Sequence, residues 1–441
     1  MNIPNFNTTI DMKNAEKGMC QLMRELYPIC RSITGNGLRK TLNIIKDQIP
    51  IEIHEVPTGT QVFDWTIPKE WNIHDAYIKD STGERVIDFK KSNLHVVSYS
   101  KPVKAKMSLK ELQKNLFTLP NYPDWIPYRT SYYKEDWGFC LTHKQFLNLQ
   151  DDEYEVCIDA SLEEGYLTYG EYLLEGDTTD EVLISCHVCH PSLCNDNLSG
   201  IALVTFLAKH LRQLSRRYSY RFLFMPGTIG SITWLCLNES QVSRIKHGLV
   251  VSCVGDRGPF TYKKSRRGDA EIDQAVMHVL KHTAKAYEII DFFPYGYDER
   301  QFCSPAFNLP VGCLMRTPHG RFPEYHTSAD NLDFVRPECL VDSFVKYVST
   351  VDVLEQNKTY LNQNPKCEPQ LGKRGLYRAI GGQPDERMTE LALLWVLNLS
   401  DGTHTLLDIA ERANLEFGVI SQAAEALLAH GLLQERSETP A

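Results

Sequence analysis

The stretch SCHVCHPSLCNDNLSG, residues 185–200, concentrates three cysteines, two histidines and an aspartate in sixteen positions. Two chemistries are open to such a set. Four Cys and His side chains in a tetrahedral array close a structural zinc site, whereas fewer ligands and an open position make a catalytic one. EVLISCHV reads as a strand, so Cys186 and His187 point to opposite faces. Cys186 is expected in the core, where free cysteines usually reside. His187 then stands at the carboxyl end of a strand, the place where open α/β sheets gather ligands. Asp196 opens the helix beginning NLSG, and a carboxylate is favoured there by the helix dipole and the free backbone N–H groups. His187 and Asp196 can thus face one pocket from two rigid elements. His190 precedes Pro191 and is expected to bond within its loop instead of binding metal. A second segment, FPEYHTSADNLDFV at 322–335, contributes His326. Two histidines and an aspartate suit zinc, with positions left for water and substrate.

The elements that position these groups follow from periodicity. Residues 15–48 read as two helices broken at SITGNG, and 51–66 as extended chain. From 67 to 170 aromatics and prolines are dense and strand-like runs are short, which predicts a small β-rich unit inserted into the main domain. From 171 the pattern alternates strand and helix, through EYLLEG, EVLISCHV, NLSGIALVTFLAKHLRQL, YRFLFMPG and HGLVVSCVGD to a closing helix CLVDSFVKYVSTVDVLEQ. Such alternation predicts an α/β layer fold with helices on both sheet faces. Residues 357–373 are polar and read as a linker. Three helical runs between 374 and 438 have helix-turn-helix spacing and are expected to form a winged helix.

The order strand–His–loop–DNLSG–helix, then YHTSAD far downstream, resembles the co-catalytic zinc aminopeptidases, the group of bacterial leucyl aminopeptidases and glutamate carboxypeptidases. The resemblance implies a three-layer α/β/α domain with a mixed sheet, formed by 1–66 and 171–360. It also implies one or two zinc ions, with His187 on one metal, Asp196 bridging and His326 on the second. The layout is similar still to a branch that adds an inserted small domain and a C-terminal winged helix. Genes of that branch often lie among those for polysaccharide or surface-polymer synthesis.

Three positions depart from the family pattern. Cys189 stands where the family has an Asp that orients the first His. Gly227 and Thr228 stand where it has a Glu-Glu pair, one of them the general base. Ser252 stands where it has a further Asp ligand, with Asp256 four residues on. A replacement base must come from elsewhere, and Glu324, Asp256 and Glu299 are the candidates. Arg300 and Arg316 are candidates to anchor a substrate carboxylate. The basic run YKKSRRGD at 262–269 reads as a solvated turn, with a collar for an anionic substrate as the sharper alternative. Trp125, Tyr128, Arg129 and Tyr132 of the insert form either a lid wall or the core of the small unit.

The bulk numbers bound the function. The chain has 441 residues, 42% hydrophobic and 23% charged, with a formal net charge of −9. It reads as a globular protein of two or three domains, without a membrane span or signal peptide and cytoplasmic by default. Thirteen scattered cysteines fit free thiols or metal ligands in a reducing compartment. The acidic balance argues against nucleic acid as main partner. The tail from 371 has six Lys/Arg against ten Asp/Glu, and its expected recognition helix EFGVISQAAEALLAHG has neither Lys nor Arg. Phosphate contacts need such residues, so the winged helix is expected to dock a protein partner or to self-associate in a homo-oligomer. The function expected is a zinc-dependent aminopeptidase-like hydrolase of a short peptide or amide-linked amino acid. The alternative is a non-catalytic metal-binding scaffold, and a ligand-sensing transcription regulator is the third reading.

Overall fold

Two strands buried at every position, Glu181–His187 and Ser219–Met225, mark the centre of a sheet covered on both faces. The computed structural model describes residues 6–376 and 384–436. They divide into two compact units, one of 10–270 and 286–345, the other of the described parts of 1–9, 271–285 and 346–441.

The first unit is built on an eight-stranded mixed sheet. Its strands are β1 (Glu52–Pro57), β2 (Tyr166–Leu174), β3 (Glu181–His187), β4 (Ser219–Met225), β5 (Ile245–Val251), β6 (Phe260–Lys263), β7 (Tyr287–Ile290) and β8 (Val311–Met315). Their spatial order is β1-β2-β4-β3-β5-β8-β6-β7. The four central strands β4, β3, β5 and β8 run parallel, and β2 and β6 join them antiparallel. Strand β2 starts at Tyr166, so it takes in the last residues of the segment expected as the insert.

The period of two is visible in the core. Leu167 and Tyr169, Leu183, Leu223 and Met225, Val250, and Val311 and Cys313 share one face with Ile229, Ile232 and Trp234 of helix α4 (Ile229–Leu237). Helix α2 (Asn36–Lys46) covers the other face at Gly170, where an added Cβ would stand 3.0 Å from Leu42 and 2.9 Å from Ile51. Helix α1 (Met12–Leu26) lies against α3 (Ser199–Leu211), with Phe206 filling the space over Gly18. This is the three-layer α/β/α architecture expected from the alternation.

A second, four-stranded antiparallel sheet lies within the same unit: Arg85–Asp88, Glu70–Lys79, Glu153–Glu163 and Val103–Ser108, in that order. It has its own apolar cluster around Ile78, Phe139, Tyr154 and Val156. One extended piece of this region leaves the small sheet and pairs Pro127 with Thr327.

The other unit has helices α5 (Glu271–Thr283), the second part of α6 (Pro337–Gln356), α7 (Pro384–Leu399), α8 (Leu406–Ala413) and α9 (Phe417–Ala429). A three-stranded sheet orders Asp401–Thr405, Thr359–Asn362 and Leu433–Glu435. Three helices and a small sheet make the winged helix. Thr359–Asn362 of the expected linker is therefore a central strand. Residues 377–383 and 437–438 of the expected winged-helix segment lie outside the described residues. Helix α5, expected with the α/β domain, groups here because His278 bonds Glu411 through Nδ1 and accepts from Phe417 N–H at 3.0 Å through Nε2. Among the described residues no helix is long and apolar enough to cross a membrane.

Two outcomes follow. Arg221 on β4 pairs with Glu181 at 2.6 Å and with Glu171, so Arg221→Ala strands the buried Glu181 and should cost about 3–5 kcal/mol, read from urea unfolding. His278 is neutral when it accepts from Phe417, and burial, opposed by Glu411, holds its imidazole below the usual 6.5. A depressed histidine binds its proton more readily when unfolded, so its stabilisation is present at neutral pH and lost as pH falls through the range below 6.5. Exchange of the Phe417 amide, corrected for intrinsic rate, should be faster at pH 5 than at pH 7, and His278→Gln should remove the difference.

Candidate metal centre

Strand β3 ends at His187, and a loop with one irregular helical turn, Cys194–Leu198, leads into α3. This path carries three polar side chains to one point. Asp196 Oδ1 accepts from His187 Nε2 at 2.8 Å, and Asp196 Oδ2 accepts from His326 Nε2 at 3.0 Å. His190 Nδ1 stands 3.2 Å from Oδ2 and 3.0 Å from the Asp196 carbonyl. His187, His190 and Asp196 offer ligand atoms all within 4.8 Å of one another. Burial alone would raise the Asp196 carboxyl, but the His190 and His187 imidazoles outweigh it and hold it well below the carboxylate range.

Hydrogen bonds from neighbouring buried groups hold this cluster in place. Asp330 accepts the N–H of Asn195 at 2.6 Å on Oδ1 and that of Asp196 at 3.0 Å on Oδ2, and burial pushes its carboxyl up to about 7. The buried guanidinium of Arg31 donates to the carbonyls of His190 at 2.7 Å and Pro191 at 2.8 Å. His326 has φ +57°, a left-handed conformation uncommon outside glycine. Its loop is clamped by the inserted region: Tyr128 N–H donates to His326 O at 2.7 Å, and Ser328 N–H to Ile126 O at 2.8 Å. Tyr325 stacks on the His326 ring at 3.9 Å, and Tyr297 on the His187 ring at 5.4 Å.

These donors fit a zinc ion. Ligand atoms about 2.0–2.2 Å from zinc stand roughly 3.3–3.6 Å apart in a tetrahedron, so the groups that stand 2.8–3.2 Å apart around Asp196 would spread by a few tenths of an ångström to admit the ion. Imidazoles on different oxygens of one carboxylate are disposed as for a bridging ligand. Asn197 completes the picture: its Nδ2 lies 3.5 Å from His187 Nδ1 and 2.9 Å from Val251 O, while its buried Oδ1 has no partner. The bonds from Nδ2 to the carbonyls of Val251 and, at 3.4 Å, His187 fix this amide with its nitrogen toward the His187 ring.

A cavity of about 370 Å3 opens beside the cluster, lined by His187, His190, Gly227, Thr228, Asp298 and Arg300 among others. Its walls are aromatic: Trp65, Tyr132, Tyr133, Tyr295, Tyr297 and Tyr325. Of the insert residues expected at a lid or core, Tyr132 lines the cavity, and Tyr128 packs edge-on against His326 at 5.0 Å. Trp125 stacks on Tyr122, and Arg129 on Phe117.

The three base candidates lie elsewhere. Asp256 is consumed in a turn, accepting from Asn195 Nδ2 at 3.0 Å, Gly258 N–H at 2.7 Å and Thr317 Oγ1 at 2.6 Å. Glu299 is buried against Lys263 at 2.8 Å, and its ordinary acidity is weakened by that burial. Glu324 is half-buried outside the cavity lining, with its carbonyl capping Thr327. The carboxylate that does face the cavity is Asp298, one residue before Glu299. Its Oδ1 accepts from Thr228 N–H at 2.6 Å and Ser231 Oγ at 3.2 Å, and burial raises its carboxyl. Spacing did not single out Asp298, because the direction of a side chain in one turn is set by what packs behind it. The signal for His190 was present as H-x-x-H followed by Asp196.

Cys186, Cys189 and Cys194 are buried thiols, and burial pushes Cys189 up to about 12. Cys189 Sγ accepts from Gly227 N–H at 3.3 Å instead of orienting His187. The basic run is spent locally, with Lys263 on Glu299, Lys264 on Asp291 at 2.6 Å and Arg266 on Asn308 at 2.9 Å.

Comparison with known proteins agrees with this architecture. Residues 20–357 match the family model described as a domain of unknown function, DUF4910, and residues 358–435 match a winged helix-turn-helix. A candidate polysaccharide biosynthesis protein with an aminopeptidase-like domain, from Clostridium acetobutylicum, is 59% identical over 413 residues, covering 94% of this chain and 95% of that protein. The crystal structure of a candidate peptidase from Clostridium acetobutylicum superposes with a TM-score of 0.92 at 55% identity, over 96% of this chain and 98% of that one. BSAP, a zinc aminopeptidase from Bacillus subtilis, shares the fold at 13% identity, with a TM-score of 0.57 over 80% of this chain and 95% of that one. The chain therefore belongs to the DUF4910 family, carries a winged helix at its C-terminal end, and has the fold of the zinc aminopeptidases.

Proposed function

We propose that the chain is a zinc-dependent amide hydrolase, acting on a short peptide or an amide-linked amino acid during synthesis of a polysaccharide or other surface polymer. The observation that carries this reading is the buried Asp196 carboxylate, held by His187 on one oxygen and by His326 and His190 on the other, beside an open cavity. The link to polymer synthesis rests on the name of the Clostridium acetobutylicum relative.

His187, Asp196 and His326 would hold the metal, with His190 at hand as a further ligand. Zinc in that place supplies Lewis acidity toward an amide carbonyl and lowers the pKa of water. The remaining work falls to side chains. Asp298 keeps Oδ1 in hydrogen bonds to Thr228 and Ser231, which leaves Oδ2 to take a proton from attacking water and return it to the departing amine. Burial raises this carboxyl above its ordinary value, which makes it a stronger proton acceptor. Tyr297 and Tyr325 fix the His187 and His326 rings and exclude water from their far faces.

The second reading, a metal-binding scaffold, is favoured by Gly227 and Thr228, which bring no carboxylate to the cavity wall. In either case the winged helix serves to dock a protein or to self-associate, because helix α9 carries no Lys or Arg for phosphates.

The zinc-loaded chain should hydrolyse aminoacyl amides or dipeptides. Asp298→Asn should lower kcat at least about 100-fold with zinc content unchanged by elemental analysis. Full activity in that variant would hand the proton transfer to another group, and a zinc-loaded protein inert toward all such amides would leave the scaffold. Asp330→Asn replaces an acceptor of two N–H groups by one that can serve only one of them, and should weaken zinc affinity about 10–100-fold in a chelator competition.

A further inference from the structure

Arg300 reaches the cavity from the helical turn Glu299–Phe302. A guanidinium carries five N–H donors. This one makes a single hydrogen bond to another described residue, from Nη2 to Thr228 Oγ1 at 3.3 Å, and its buried Nε has no partner. No ion pair to a carboxylate of a described residue is formed.

The three fully buried arginines of this unit behave differently. Arg31 donates to the carbonyls of Leu26, His190 and Pro191. Arg221 is paired with Glu171 and Glu181. Arg316, the other expected anchor, donates to Gly258 O at 2.9 Å and Ser343 Oγ at 3.1 Å and pairs with Asp342 at 2.5 Å. Three guanidiniums are saturated by the fold, and the one beside the cavity is not. The Tyr295 ring, 6.0 Å from the guanidinium, and the nearby Asp298 carboxylate offset part of this charge, but neither supplies a hydrogen bond to it, and an anion in the cavity would.

The surroundings agree. Asp298 is the only carboxylate among the cavity's described lining residues, and its Oδ1 is spent on Thr228 and Ser231. His319, also in the lining, has a buried Nδ1 with no partner. Thr228 divides the two roles: its N–H serves Asp298 and its hydroxyl receives Arg300. The aromatic walls suit a flat or apolar side chain carried next to the charge.

We propose that Arg300 binds a carboxylate of the substrate, so that the cavity takes amides ending in a free carboxylate, such as N-acyl amino acids or the last residue of a short peptide. The planar fork of the guanidinium matches a carboxylate bidentately. The amide in this statement rests on the hydrolase reading, whereas the anion rests on Arg300.

Calorimetric titration of the zinc-loaded chain with N-acetyl-L-tyrosine and with N-acetyl-L-tyrosine amide tests it, because the two ligands differ at the charge. The acid should bind at least roughly tenfold tighter. Arg300→Gln should erase that preference while leaving amide binding and zinc content in place, and Arg300→Lys should retain part of it. Equal binding of acid and amide, binding of neither, or a preference that survives Arg300→Gln would each overturn the proposal; the last would mean that the carboxylate goes to the metal. Tighter binding of the acid that depends on Arg300, with no cleavage, would uphold the anion site and sink the hydrolase.

Discussion

A carboxylate with no exposure to solvent stays ionised only if positive charge or hydrogen-bond donors surround it. Asp196 is such a group, at 0% exposure. Its stability as an anion is the constraint around which the first unit is arranged. Each imidazole that meets it arrives from a different part of the chain: His187 from the end of a central strand, His190 from the loop beyond, His326 from a clamped turn. If any of these elements shifted, the charge would lose a partner that water cannot replace.

The supports of those elements are themselves costly polar groups, and they are justified only by what they hold. Arg31 spends a buried guanidinium on loop carbonyls. Asp330 spends a buried carboxyl on two backbone N–H groups. The inserted region contributes Tyr128 and Ile126 to the loop of His326. The same region, inserted between strands β1 and β2, also brings Tyr132 to the cavity wall.

Around Asp196 the negative charge is matched by imidazoles and by any bound cation. Toward the turn Gly227–Thr228 the wall carries Arg300 and a single carboxylate, Asp298. The guanidinium is free of ion pairs to described carboxylates and keeps most of its donors available toward the cavity.

The sequence by itself determined the layer architecture and three of the side chains that meet at one point. Period-two burial and amphipathic helices follow from residue order, because both depend on local geometry. His187, Asp196 and His326 could be named because strand end, helix start and late turn are local features that recur in a fixed order. What only the tertiary structure decided is which polar groups remain free once the chain has closed. Asp256 looked available, but Gly258 and Thr317 claim it. Glu299 looked available, but Lys263 claims it, and its neighbour Asp298 faces the cavity instead. His190 looked like a loop residue, yet the fold of 187–196 turns it onto Asp196. Arg300 and Arg316 were equal candidates, and Asp342 and Ser343 took one of them out of contention. The reason is common to all four: a polar side chain goes to the partner that folding brings nearest, and those partners come from segments whose approach no spacing in the sequence records.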